Sequence, residues 1–164
     1  MRTSRALAVA LYALSFAALA ADPSKVLRTA LSIAETSFDP VLAYDAASNS
    51  VVEEISEPML AYEYLARPVK LTPLTLERMP EVSDRGATYL CRVRKGFFFA
   101  ADPAFKGKQR ELVAADYAYS IKRLLDPALH SPWTWVVEGK LVGGDELRAA
   151  ATASGRFDYD APLP

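Results

Sequence analysis

Two stretches of the chain carry apolar residues at helical spacing. From Ala46 to Ile55, the positions Val51, Val52 and Ile55 recur on one side, and Asp45 or Ser48 stands where a side chain caps the first exposed N–H groups. Glu57-Pro58 ends this helix, because a residue before proline is pushed out of the α region. From Ala114 to Leu125, Tyr117, Ala118, Ile121, Leu124 and Leu125 fall on one side. Asp116 lies in its first turn and Lys122 and Arg123 in its last, which suits the helix dipole. Asp126-Pro127 closes it. A weaker helical stretch covers Glu146 to Ala151, and the tail from Gly155 to Pro164 has no clear pattern.

Elsewhere the pattern is that of strands. Val26 to Ile33 is partly alternating and partly β-branched, and predicts a first strand stopped by the cluster Thr36-Ser37-Phe38-Asp39-Pro40. Met59 to Tyr62 and Glu81 to Ser83 predict two more. Thr88 to Arg94 alternates, with Tyr89, Cys91 and Val93 pointing one way, so a hairpin with one buried face is expected around the turn Asp84-Arg85-Gly86. Three consecutive Phe, 97 to 99, cannot share one side of a strand and predict a segment buried on both. Mixed helices and short antiparallel strands make the fold class α/β in the broad sense, of the α+β kind.

The first twenty residues have the form of a processing segment. Arg2 and Arg5 precede an apolar run from Ala6 to Ala20 that is short for a bilayer span, and Ala18-Leu19-Ala20 is an A-x-A site placing cleavage before Ala21. A periplasmic location follows, with no stable membrane insertion after cleavage; no Cys follows the site, so no lipid anchor is expected. Of 164 residues, 51% are apolar, enough for a core. The formal net charge is -1, and without residues 1–20 the chain keeps 17 basic and 20 acidic residues. Such a balance offers no footprint for nucleic acid.

Candidate chemistry is sparse. One His, His130, follows a helix end without a nucleophile motif, and one Cys, Cys91, sits in an alternating stretch, so neither a catalytic triad nor a Cys/His metal site is expected, and no cofactor motif occurs among the 7 Gly. Glu53, Glu54 and Glu57 read as a solvated helix surface. The two Trp stand two residues apart in Ser131-Pro132-Trp133-Thr134-Trp135. In a strand they would share a face, and they suit a ligand wall and a core contact equally well.

Read in order, several blocks resemble the N-terminal region of the family-5 extracellular solute-binding proteins of ABC importers, the oligopeptide- and dipeptide-binding type. They are Ser37-Phe38-Asp39-Pro40; Glu57-Pro58-Met59-Leu60-Ala61-Tyr62; Met79-Pro80-Glu81-Val82-Ser83-Asp84 with Gly86; Thr88 through Gly96 leading to Phe97 and Phe99; and Ala114 through Pro127. The match spans roughly residues 26 to 150. The resemblance implies the N-terminal part of a two-lobed, type II-like periplasmic binding protein with an incomplete lobe. Residues 1–20 are then the signal peptide, 21–45 the first strand and cleft loop of the large lobe, 46–154 a small α/β subdomain, and 155–164 a truncated tail.

It further implies no enzymatic activity and no cofactor. The partners would be a peptide or other small solute and the transmembrane subunits of an ABC permease. Trp133 matches a cleft-lining aromatic position, and the ligand-binding residues are expected to be Trp133, Trp135, Tyr44 and Ala46. Family members are several times longer, so a truncated product or an incomplete sequence is expected. Val113 stands where the family commonly has a Thr helix cap, and Cys91 where an aromatic is common. The competing expectation is a stand-alone secreted interaction module using a Trp-lined surface.

Overall fold

Asp45 starts the first helix. In a computed structural model, which describes residues 24–163, its carboxylate accepts from the Ser48 backbone N–H at 2.8 Å, and helix α1 runs Ala46–Ile55. The expectation for residues 1–20 lies outside the described residues. Residues 24–32 form part of a unit of their own and carry no regular element. Val26 to Ile33 is therefore not a strand, and its side chains are exposed. A strand persists only against a partner that takes up its N–H and C=O groups, and among the described residues none pairs with it.

The chain from Ile33 onward forms a second unit. After α1, strands β1 (Leu60–Tyr62) and β2 (Leu71–Pro73) pair antiparallel, with Ala61 opposite Thr72. Strands β3 (Glu81–Ser83) and β4 (Thr88–Leu90) form a separate antiparallel hairpin, with Val82 opposite Tyr89. Their connection has Asp84, Arg85 and Gly86 all at positive φ, a left-handed turn that Gly86, at 91°, adopts at no steric cost. Every residue of β3 and β4 is exposed, against the expected buried face. The alternation is real, but no second layer covers either side; only Cys91 and Val93, past the strand's end, are half-buried. Phe98 and Phe99 are likewise exposed, where burial on both sides was expected.

Helix α2 (Ala114–Leu125) and helix α3 (Gly144–Ser154) hold the main core. Leu125, Val137, Ala151 and Phe157 are buried together, with Ile121, Leu124, Leu141 and Leu147 packed around them. α3 comes so close that a Cβ on Gly144 would lie 3.4 Å from a Leu125 methyl. The unpatterned tail contributes Phe157 to this core, and the Tyr159 carbonyl accepts from the Lys122 ammonium at 2.7 Å. A smaller buried centre lies at Thr75 and Leu76, where the Thr75 hydroxyl bonds that of Tyr117 and ties the segment before β3 to α2. Among the described residues, no helix is long and apolar enough to cross a membrane.

The N-cap of α2 is Val113, in extended backbone, whose side chain accepts nothing. Half of a capping box survives: the Val113 N–H donates to the Asp116 carboxylate at 2.8 Å. Val113→Thr supplies the missing acceptor at an exposed position that already has the required backbone. It is expected to stabilise the protein by about 1 kcal/mol, raising Tm by about 3–5 °C. A calorimetric melt showing no gain refutes this account of the helix start.

Candidate functional site

The residues singled out from the sequence come from two segments, 39–46 and 131–136. The first is a turn wound around Asp39, whose backbone carbonyl accepts from the N–H groups of Leu42 at 2.9 Å and Ala43 at 2.8 Å. The Asp39 carboxylate takes the Val41 N–H at 3.1 Å and the guanidinium fork of Arg123, at 2.9 and 2.5 Å, across 84 positions of sequence. That fork holds the Asp39 carboxyl below its ordinary value, against the opposing effect of partial burial. The basic residues at the end of α2 thus have partners of their own beyond the helix dipole: Lys122 on Tyr159 and Arg123 on Asp39.

The second segment clamps the same turn. The Ser131 hydroxyl donates to the Val41 carbonyl at 2.6 Å and the Trp133 indole N–H to the Ala43 carbonyl at 2.6 Å, each across 90 positions. Thr134 fastens the segment to α2 through the Leu124 carbonyl at 3.1 Å. Three anchors therefore hold residues 39–43: Arg123 on Asp39, Ser131 on Val41 and Trp133 on Ala43. Tyr44 follows directly, 63% exposed, and exposed Ala46 opens α1. Between them Asp45 accepts from the hydroxyls of Ser48 at 2.6 Å and Thr36 at 2.5 Å, which hold its carboxyl far below the usual range.

Trp133 and Trp135 do not occupy a strand. Trp135 lies in a 3₁₀ turn, Thr134–Val136, and Trp133 is its N-cap. At about three residues per turn, side chains two apart diverge, so the two indoles do not share a face. Trp133 is half-buried with its only donor spent on Ala43. Trp135 is 61% exposed, with the Lys140 ammonium 5.4 Å above its ring. Trp133 thus positions the turn and leaves Tyr44 and Trp135 as the available aromatic surface.

His130 is an exposed turn residue at φ 49°, and Cys91 is a half-buried free thiol. Tyr159 donates its hydroxyl to the Asp126 carboxylate at 2.7 Å; burial first, then that bond, pushes its pKa up to about 12.

A second feature escaped the sequence reading. An open groove of about 630 Å³ runs between the end of α1 and the Phe97–Phe99 segment. Ile55, Phe97, Phe99 and Leu112 line its apolar part, and Glu54 and Glu57 also line it. The only hint in the sequence was the run of three Phe. A scan against protein-family models, a search of curated proteins and a search of solved structures each find no match to this chain.

Proposed function

We propose that this chain is the solute-binding component of an ABC-type importer, capturing peptides or similar small solutes in the periplasm for delivery to a permease. In this reading the α+β unit belongs to one lobe of a two-lobed binder, which acts by closing on its solute and performs no covalent step. The order of sequence blocks supports it. The observation that carries it is the hydrogen bond from the Trp133 indole to the Ala43 carbonyl. It joins the two segments to which the resemblance assigns solute contact, although 90 positions separate them. Two hydrogen-bonded segments, one with an exposed Tyr44 and the other with an exposed Trp135, suit recognition of extended solutes, since flat amphipathic rings bury much area at little entropic cost.

Both Trp of the chain lie in this region, so intrinsic fluorescence reports on it directly. Titrating the chain with mixed di- to pentapeptides is expected to give a saturable emission change and a rise in Tm. Trp135→Phe is expected to remove most of the emission change, and Tyr44→Ala to weaken binding about fivefold, the worth of one aromatic contact. Emission and Tm that stay constant through about 10 mM peptide, an affinity below any specific capture, would sink the proposal.

A further inference from the structure

The groove beside α1 combines features that the fold itself does not use. Its apolar part is made by Ile55, Phe97, Phe99 and Leu112. Ile55 is 66% exposed and Phe99 43% exposed, so this is apolar surface left open to solvent. Its volume of about 630 Å³ falls within the range of roughly 300–1,000 Å³ typical of small-ligand sites.

The polar side of the groove has one sign. Glu54, Glu57 and Asp116 line it, and no Lys or Arg does. Asp116 is neutralised by the Arg110 fork and by the Val113 N–H. Glu54 and Glu57 make no ion pair among the described residues. Their position is also unfavourable for the helix they belong to. Glu54 is in the last turn of α1 and Glu57 lies two residues beyond it, where the helix carries partial negative charge and no basic residue offsets it. The last carbonyls of a helix have no intrahelical partners, and Ile55 and Ser56, at that end, line the groove. Two carboxylates without an ion pair and a helix C-terminus therefore put negative charge at the α1 edge of the apolar floor, while the guanidiniums of Arg94 and Arg110 lie over Phe97 and Phe99.

The Phe rings do not supply the charge recognition. Phe97 already carries the Arg94 guanidinium and Phe99 that of Arg110, each 4.7 Å from the ring centroid. With one face of each ring so occupied, a ligand meets the other face or the edge as apolar surface. A cationic group is left to Glu54, Glu57 and the end of α1.

We propose that this groove is a binding site for a small organic cation with an aromatic or aliphatic body, the body lying on Phe97, Phe99 and Leu112 and the ammonium at Glu54 and Glu57. The site is separate from Tyr44 and Trp135 and does not depend on the importer reading.

Three probes with one body separate the contributions: 4-phenylbutylammonium, 4-phenylbutanol and 4-phenylbutanoate, followed by amide NMR shifts of the whole chain. The ammonium is expected to bind about fivefold tighter than the alcohol, equivalent to about 1 kcal/mol, and the carboxylate weakest. Glu54→Gln with Glu57→Gln, both at exposed positions, is expected to bring ammonium and alcohol within twofold of each other. Ile55→Ala is expected to weaken all three probes while keeping their ratio, and Tyr44→Ala to change nothing. Shifts are expected at residues 54–57 and 97–99. An alcohol bound as tightly as the ammonium, a preference that survives the double substitution, shifts centred on Tyr44 and Trp135, or no saturable shift at all each overturn the proposal.

Discussion

Leu125→Ala is expected to cost about 3 kcal/mol of stability and to lower Tm by about 10 °C. Leu125 is the last residue of α2 and is fully buried, meeting Val137, Ala151 and Phe157. Leu→Ala substitutions at such sites cost about 2–5 kcal/mol, and the value within that range depends on how far the surroundings collapse into the cavity. Here collapse is restricted. On the α3 side, Gly144 and Ala151 have no side-chain length to extend and Leu147 is already packed against the cluster, and the α3 backbone is already close to the Leu125 methyls. Since a domain of this kind has about 5–15 kcal/mol in all, the variant is expected to remain folded but with a visibly earlier transition. Urea unfolding at constant m checks it, with Leu125→Met, nearly conservative in volume, losing less than about 1.5 kcal/mol. A loss below about 1 kcal/mol for the Ala variant would mean that α2 and α3 are not packed through Leu125.

What the sequence disclosed and what it hid divide along the range of the interactions. Helices α1 and α2 have the bounds that periodicity, the Asp45 cap and the two proline stops predict, because each of those signals acts within a turn or two. β3 likewise follows from local pattern. The first strand does not form, and the β3–β4 hairpin has no buried face. Alternation says which side chains share a face and says nothing about whether another layer covers that face. Lys122 and Arg123 look locally like complements to a helix dipole, yet their ammonium and guanidinium reach Tyr159 and Asp39, 37 and 84 positions away. No local signal carries those pairings. Phe157 enters the core from a tail with no period, which only tertiary packing decides. At the candidate site, Tyr44 and Trp135 are exposed, whereas Trp133 is anchored on the Ala43 carbonyl, an acceptor that spacing cannot disclose. The groove was missed for the same reason: Glu54 and Glu57 look like any solvated helix surface until Phe97 and Phe99 are brought beside them.

Asp39→Asn is expected to lower stability at pH 7 by about 1.5 kcal/mol, between the worth of an exposed ion pair and that of a buried charged hydrogen bond. Both partners are partly buried, with side chains 29% and 24% exposed for Asp39 and Arg123, and the pair is bidentate, a geometry that adds strength. The amide keeps an oxygen for the Val41 N–H, so the substitution removes charge while preserving the turn. Asp39→Ala removes that acceptor too and is expected to cost more. The pH dependence separates electrostatics from geometry. The folded protein holds the Asp39 carboxyl below its ordinary value of 3.8, chiefly through the Arg123 fork, so the unfolded chain takes up the proton first as pH falls. The stabilisation is therefore complete well above 3.8 and is lost as pH descends through the lower, folded value. Wild-type and Asp39→Asn urea midpoints are expected to differ equally at about pH 7 and about pH 6 and to converge as the pH falls below 3.8 towards the lower, folded value. A deficit that stays constant into acid would place the loss in the geometry of the turn rather than in its charge. Because residues 41–43 carry Tyr44, the same variant is expected to weaken any peptide-induced Trp emission change even at temperatures where it is fully folded. Stability lost with that response unchanged would separate the ion pair from the candidate site.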